Sequence, residues 1–196
     1  MFVFVALVLL VGIAGDVPVL PLLGLVFAAG VGLASLAPLW KRNLRRTPLP
    51  TWGMVIAHFG VAVALAGMAA ESAFIKERLV AAAPGETVKV DDFSVKFAGV
   101  SPIAGPNYTA IRGTLVATTP SGASFTLHPE ARMFPGLMGT PPTETNEAAL
   151  LTRPGGQLYV VLGQAVTSAD GTADRYQLRL WWKPLVWWIW LGGALI

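Results

Sequence analysis

The chain has 196 residues, of which 54% are hydrophobic and only 13% charged, and its mean hydropathy is +0.61. This composition is too apolar for a water-soluble domain of this size, so it indicates a protein divided between a bilayer and water. The net charge is only +3 and there is no cysteine, which excludes disulfides, thiolate zinc sites and thiol redox chemistry within the chain.

Three apolar segments occupy the first 74 residues. Residues 1–15 are short for a complete span and do not begin with the basic residues of a signal peptide, so we expect a partial transmembrane helix that begins outside this sequence. Residues 17–40 are a predicted transmembrane helix that ends with Trp40 at headgroup level. Residues 51–74 are long enough to cross a hydrocarbon core of about 30 Å at a rise of about 1.5 Å per residue.

A basic loop, residues 41–50, separates the second and third apolar segments. It contains four lysines and arginines in the stretch Lys41–Arg46. Such a loop between two spans follows the positive-inside rule far more often than it binds nucleic acid, so we expect a cytoplasmic loop and no nucleic-acid partner. If the loop is cytoplasmic, the third helix runs outward and delivers the following residues to the far side of the membrane, which in a bacterium is the periplasm.

The third segment carries His58 well inside its apolar run. An imidazole in lipid needs a partner, so His58 is a candidate ligand, proton-path residue or hydrogen-bonding group. It is predicted to point about 100° away from a strip of small residues on which another helix can pack. That strip consists of Gly53, Ala57, Gly60, Ala64 and Gly67. From the residues alone, a hydrogen bond to a neighbouring helix is favoured over ligation.

Alternating apolar and polar residues follow the third helix. Phe93, Val95 and Phe97 share one face of a predicted strand. The same period recurs over residues 111–118, 124–127, 157–164 and 176–180. Residues 76–180 are therefore predicted to form a periplasmic β-domain, a small antiparallel barrel or sandwich of five or six strands, in which Pro129–Thr145 is a long loop. The expected fold class is a polytopic α-helical membrane protein, with three to four spans in this chain and this inserted all-β domain.

Residues 181–196 are predicted to start a C-terminal transmembrane helix that continues beyond this sequence. They contain five of the seven tryptophans, Trp181, Trp182, Trp187, Trp188 and Trp190. One interpretation is a dense anchoring belt at the membrane surface, and the other is a surface that binds a flat apolar partner.

Four motifs in a fixed order resemble a known family. They are TWGMVIAHFGVAVALAG, LHPEARMF, TNEAALLTRPGGQLYVVLGQ and LRLWWKPLVWWIWLGGALI. This order resembles the C-terminal part of the cytochrome c maturation protein F family (CcmF), whose members are large polytopic membrane proteins and act as haem lyase subunits in bacterial cytochrome c assembly. The resemblance covers nearly all of this chain but only the C-terminal part of a typical member.

The resemblance implies that His58 is an axial iron ligand of a structural haem b, shared with a second transmembrane histidine from the N-terminal part of the family. It implies that this haem passes electrons, so that the incoming haem is reduced before it is joined to apocytochrome c. The implied partners are a haem chaperone, the thiol-reducing and apocytochrome-binding subunits, apocytochrome c and the lipid bilayer. Other haem-handling residues of the family lie upstream, so we do not expect this segment alone to be a complete lyase, and its catalytic residues stay unassigned.

Other polar residues in the matching motifs receive no chemical role from the sequence. We expect His128 to be an ordinary surface side chain. Glu130 and Arg132 lie on a segment predicted to be extended, where they can pair with each other or face a partner. Glu147 has no assigned role, and Glu71 lies near the outer end of the third helix, where it can reach the interface.

Two other functions compete with the haem lyase interpretation. The first is a membrane-anchored periplasmic docking or assembly module without a cofactor, in which His58 is a packing residue. The second is a transporter fragment with His58 as a proton relay, but there is no acidic residue within the same helix turn to share a proton.

Overall fold

The computed structural model describes Gly12, Gly15 and residues 17–136, 140–167 and 175–196. These residues form two compact units. One consists of Met1–Ile75, Pro154–Gly156 and Lys183–Ile196, and the other of Lys76–Arg153 and Gln157–Trp182. The helix predicted over residues 1–15 lies outside the described residues except for two glycines.

Three helices of the first unit lie in the described part of the chain. They are α1 (Val19–Leu36, followed by a 3-10 turn at Ala37–Leu39), α2 (Leu49–Phe74) and α3 (Trp187–Leu195). The 21 residues of α1 with its turn and the 26 residues of α2 are long and apolar enough to cross a bilayer. Helix α2 begins two residues before the predicted Thr51, because Pro50 falls in its first turn, where the missing N–H costs no hydrogen bond.

The strip of small residues on α2 packs against α3. A Cβ added at Gly60 would lie 2.7 Å from the main-chain oxygen of Gly192, and one added at Gly67 would lie 2.9 Å from the main-chain nitrogen of Ile189. The two helix backbones approach this closely because there is no side chain between them. The predicted packing face is confirmed at these two positions, whereas no described atom lies within 4 Å of the corresponding point at Gly53.

Ten strands are present in the described residues, where five or six were predicted. They are β1 (Lys76–Ala82), β2 (Thr87–Val90), β3 (Phe93–Ala104), β4 (Thr109–Thr118), β5 (Ser124–Leu127), β6 (Glu130–Phe134), β7 (Thr143–Glu147), β8 (Ala149–Arg153), β9 (Gly156–Val166) and β10 (Arg175–Pro184). One sheet has the order β1-β10-β9-β8 and the other β2-β3-β4-β6-β7, with β5 also paired to β4. The sequence therefore indicated the all-β class but not the number of strands.

The two sheets share one apolar core, as in a sandwich. Leu158, Val160 and Leu162 alternate along β9 and are completely buried, together with Phe97 and Leu115 from the other sheet. Each fully buried side chain of this size contributes about 1.5 to 3 kcal/mol to the free energy of folding. The alternation that predicted the strands is thus the inward face of the sandwich.

Two sequence-based boundaries are corrected by the structure. Pro129–Thr145 is not a strand-poor loop, because it contains β6 and the beginning of β7, which pair in antiparallel register. Strand β10 does not end at Leu180, because its pairing with β1 continues to Trp182 and its strand geometry to Pro184. The predicted belt of five tryptophans is consequently divided, two in the strand and three in α3.

Candidate functional site

His58 lies on α2, nine residues beyond Leu49 and therefore about 14 Å along the helix axis from it. Its Nδ1 atom is 2.8 Å from the main-chain oxygen of Met54, one turn earlier in the same helix. A carbonyl oxygen only accepts hydrogen bonds, so Nδ1 carries the proton and donates it, which leaves the lone pair of the neutral ring on Nε2. The expected hydrogen bond exists, but it goes to the histidine's own helix rather than to a neighbouring one.

The Nε2 atom of His58 has no hydrogen-bond partner among the described residues. The imidazole does not belong to the face at Gly60, which meets α3, but it lies one turn before Ala62, whose Cβ would lie 3.4 Å from a Cβ added at Gly32 of α1. A histidine whose other ring nitrogen donates to a backbone carbonyl is the usual arrangement of a metal-ligating imidazole.

The surroundings of His58 fit a flat apolar group rather than a bare metal ion. Among the described residues there is no group of three or more His, Cys, Asp or Glu side chains that could hold an ion. A porphyrin, however, supplies four nitrogens itself and takes only axial ligands from the protein. Met54 and Val61, one turn before and one turn after His58, are both exposed and apolar, so they can border such a ring.

A charge cluster is the second polar arrangement of the chain and lies in the sandwich. Glu130 of β6 pairs in register with Arg112 of β4 and with Glu147 of β7. Its carboxylate accepts hydrogen bonds from Arg112 Nε at 2.8 Å and from Arg132 Nε at 2.9 Å. Arg132 also reaches Glu147 at 3.2 Å and lies over the ring of Tyr108 at 4.6 Å. The expected pairing of Glu130 with Arg132 is confirmed, while Arg112 was not predicted.

The pKa values of Glu130 and Arg132 are both shifted toward the charged form. Burial alone would raise the pKa of Glu130, but the hydrogen bonds from Arg132 and Arg112 outweigh it and hold that pKa below its usual range. The same hydrogen bond from Glu130 raises the pKa of Arg132. A carboxylate with a lowered pKa and both oxygens bonded is a weak proton acceptor, so the cluster is suited to holding three strands together rather than to acid–base catalysis.

The remaining predicted positions fall at the surface or in simple pairs. His128 is exposed after β5, as expected of an ordinary surface side chain. Glu71 lies 3.7 Å from the Lys183 ammonium group, so its partner is a residue of the same helical unit. Neither residue comes together with His58 in a shared cluster of metal-ligating groups among the described residues.

A cavity of about 1090 Å³ in the sandwich was not predicted from the sequence. It is lined mainly by apolar side chains of β3, β4 and β6, including Ile103, Ile111 and Met133, with Glu144 and Asn146 of β7 at its polar side. No periodicity could have indicated it, because its lining comes from strand ends that are distant in sequence. It is large enough to receive several side chains of a bound polypeptide.

Comparison with known proteins identifies the relatives of this chain. A family model described as the CcmF C-terminal beta-sandwich matches residues 73–184. The cytochrome c-type biogenesis protein CcmF of Pseudomonas fluorescens is 34% identical over 200 residues, covering 97% of this chain and 29% of that protein. CycK of Rhizobium meliloti is 35% identical over 178 residues (88% and 24%), and CcmF of Escherichia coli K12 is 30% identical over 176 residues (89% and 26%).

A solved structure shares the fold. The chain is similar to the structure titled cytochrome c heme lyase CcmF with a TM-score of 0.65 and 21% identity, over 99% of this chain and 32% of that one. The chain spans less than a third of the length of the three relatives above.

Proposed function

The chain belongs to the CcmF family of cytochrome c-type biogenesis proteins, and we propose that it forms the C-terminal part of a haem lyase subunit in which His58 is an axial ligand of a b-type haem. The relatives are named for cytochrome c biogenesis, and one solved relative is titled a heme lyase. Haem handling is therefore the chemistry that the family supports, and His58 is the residue of this chain that offers a ligand for it.

The observation that carries this proposal is the state of the His58 ring. Its Nδ1 donates to the Met54 carbonyl 2.8 Å away, so the ring orientation and the tautomer are both set before any ligand binds. The free nitrogen is Nε2, and the neutral imidazole is a good haem-iron ligand. A haem at this position would supply one-electron chemistry to the haem being delivered. The chain's own contribution is to present one oriented nitrogen on a rigid apolar helix.

We further propose the placement of the chain in the bilayer. Helices α1 and α2 are spans and α3 (Trp187–Leu195) begins another. The helix expected over residues 1–15, which lie outside the described residues apart from two glycines, would bring the total from three to four. The basic loop at residues 41–50 faces the cytoplasm. Helix α2, about 39 Å long, then crosses the inner membrane and leads to the β-domain, strands β1 to β10, in the periplasm. His58 lies in the cytoplasmic half of the span.

The proposed partners follow from this placement. In the periplasm the sandwich would meet the other components of the maturation system, namely the haem chaperone, the thiol-reducing and apocytochrome-binding subunits and apocytochrome c. The bilayer is the partner of α1 and α2, whose apolar outer side chains are extensively exposed in the isolated chain.

The haem proposal is tested on the full-length membrane protein that contains this segment. We expect His58→Ala to remove most of the b-type signal from the reduced-minus-oxidised visible spectrum, because the iron loses an axial nitrogen. His128→Ala is the matched control, since it removes the other histidine from an exposed position in the sandwich. Added imidazole should restore part of the signal in His58→Gly. An unchanged spectrum in His58→Ala, at equal protein in the membrane, would exclude His58 as a ligand.

A second candidate function is supported by the cavity in the sandwich. A membrane-anchored docking module without a cofactor would use it to bind a segment of a partner protein. Met133→Gln changes an exposed apolar residue in the cavity lining, and Leu150→Gln is a control of similar exposure outside that lining. If docking is the function, Met133→Gln should lower the co-purification of apocytochrome c, and Leu150→Gln should not. The visible spectrum of the full-length protein should then be the same in wild type and His58→Ala.

A further inference from the structure

The basic loop concentrates positive charge that the chain itself does not neutralise. Lys41, Arg42, Arg45 and Arg46 are all exposed, and no ion pair joins any of them to a described residue. From residue 17 to residue 70 the sequence contains no Asp or Glu. Four exposed cations are thus presented together with no acidic residue between positions 17 and 70, a distribution that attracts anionic ligands.

The loop has a defined conformation rather than an irregular one. The Asn43 side chain accepts a hydrogen bond from the Arg45 main-chain nitrogen at 3.1 Å, and the Asn43 main-chain oxygen accepts one from the Arg46 nitrogen at 2.9 Å. The Thr47 hydroxyl donates to the same oxygen at 3.2 Å. A 3-10 turn, Leu44–Arg46, results. The two arginines are therefore carried on an ordered turn, which lowers the conformational entropy lost when they bind a ligand.

Apolar side chains lie among these cations. Trp40 is 76% exposed and Leu49 is 84% exposed, and Leu44 is also exposed within the turn itself. Tryptophan at the end of an apolar helix is typical of the headgroup region, where an indole contacts both acyl chains and polar groups. Cations mixed with exposed apolar residues match a surface that is anionic outside and apolar just beneath.

We propose that the basic loop is a binding site for anionic phospholipid, with Arg45 and Arg46 on the headgroup phosphate and Trp40, Leu44 and Leu49 in the adjoining acyl region. The occupant is a lipid of the leaflet that surrounds the loop, such as phosphatidylglycerol. A zwitterionic lipid fits less well, because its choline or ethanolamine group returns a positive charge to a surface that already has four. This inference rests on the membrane placement proposed above, but not on haem binding.

The test measures lipid selectivity of the membrane-embedded protein. The full-length protein is reconstituted in phosphatidylcholine vesicles with trace spin-labelled phosphatidylglycerol or phosphatidylcholine, and the ratio of their association constants is read from the motionally restricted fraction. Each basic residue near an anionic lipid surface contributes about fivefold to association. We expect a preference for phosphatidylglycerol of about fivefold or more, falling at least about threefold in Arg45→Gln/Arg46→Gln.

Matched variants separate the loop from general charge. Lys89→Gln/Lys96→Gln removes the same charge from exposed residues of the sandwich that have no ion pair to a described residue, and should keep the preference. Arg45→Lys/Arg46→Lys keeps the positive charge and should retain most of the preference for phosphatidylglycerol. Inorganic phosphate should not compete, since it lacks the acyl chains that the loop also contacts.

Each unfavourable outcome is assigned to one proposal. If Arg45→Gln/Arg46→Gln and Lys89→Gln/Lys96→Gln show the same preference for phosphatidylglycerol over phosphatidylcholine, the proposed lipid site is overturned. Competition by inorganic phosphate alone would replace the lipid with a free-anion site and would overturn it as well. Failure of the wild-type protein to remain in vesicles after alkaline carbonate extraction would instead refute the membrane placement. Loss of the haem spectrum in His58→Ala with lipid preference unchanged is the result expected if both proposals are correct.

Discussion

Substitution of Glu130 tests whether the charge cluster holds the sandwich together. Glu130→Gln keeps the shape of the side chain but removes the charge to which Arg112 and Arg132 donate. Only 8% of the Glu130 side chain is exposed, whereas Arg112 and Arg132 are 42% and 26% exposed. A hydrogen bond between charged groups contributes about 1.5 to 3 kcal/mol when buried. Since both arginines can recover water, we expect a total cost of about 2 kcal/mol, below the roughly 3 to 5 kcal/mol of breaking a fully buried pair.

The control for this substitution is an ion pair at the surface. Glu77 lies 2.6 Å from Arg179 Nε, with side-chain exposures of 43% and 52%. Exposed pairs of this kind contribute about 0.2 to 1 kcal/mol, so Glu77→Gln should have a small effect. The two variants remove the same charge from the same unit, and they differ in the burial of the carboxylate.

Hydrogen exchange measured by mass spectrometry on the full chain in detergent provides the assay. A loss of about 2 kcal/mol is about a 30-fold rise in the opening equilibrium, and it should be seen in peptides that cover β4 and β6. Peptides from α2 should be unchanged, because local opening in one region need not open another. Equal exchange in Glu130→Gln and Glu77→Gln would refute the argument that burial makes this cluster a structural element.

Two other predictions follow from particular contacts. The pKa of Glu130 is lowered in the folded state. The stabilisation that Glu130 provides is therefore present above the unfolded pKa of about 4.3 and is lost as pH falls through the folded pKa. The melting temperatures of wild type and Glu130→Gln should converge in acid, and a difference that stays constant with pH would contradict this prediction. Gly60→Ala places a Cβ 2.7 Å from the oxygen of Gly192, whereas Gly53→Ala meets no described atom within 4 Å. Both changes raise helix propensity by about 1 kcal/mol, so a lower melting temperature only for Gly60→Ala is expected, and an equal rise in both would show that α2 and α3 do not pack there.

Alternation along the chain predicted the strands that form the core. Leu158, Val160 and Leu162 alternate with half-buried residues in β9, and Phe93, Val95 and Phe97 alternate with the less buried Ser94 and Lys96 in β3. In a sandwich of two sheets, each strand turns one face toward the core. Every second residue is therefore apolar wherever that face is buried in the core. This physical reason also explains why these segments, rather than the edges, were recognised.

Strands β6 and β7 were missed because charges and hydroxyls replace the apolar period. Strand β7, Thr143–Glu147, is exposed at all five positions and lies at the sheet edge, so nothing in its burial requires alternation. In β6 the most buried position is occupied by Glu130, whose inward carboxylate is satisfied by Arg112 from β4. The two partners are 18 residues apart, and their meeting depends on strand register, which a local pattern does not contain.

His58 could be singled out from the sequence because the free energy cost of placing its ring in an apolar helix depends only on nearby residues. An ionisable ring inside an apolar helix is unfavourable without a partner in any arrangement of neighbouring helices, and its angle to the strip at Gly60 and Gly67 follows from helix geometry alone. Its hydrogen bond to Met54 is also local, being one turn back on the same helix. The sequence therefore indicated the residue and its direction on the helix, but the expected hydrogen bond to a neighbouring helix was wrong, because the ring bonds to Met54 of its own helix. Glu130 became recognisable only after three strands were in register. Single intramembrane residues of this kind are accessible to sequence reasoning, and cross-strand clusters require the fold.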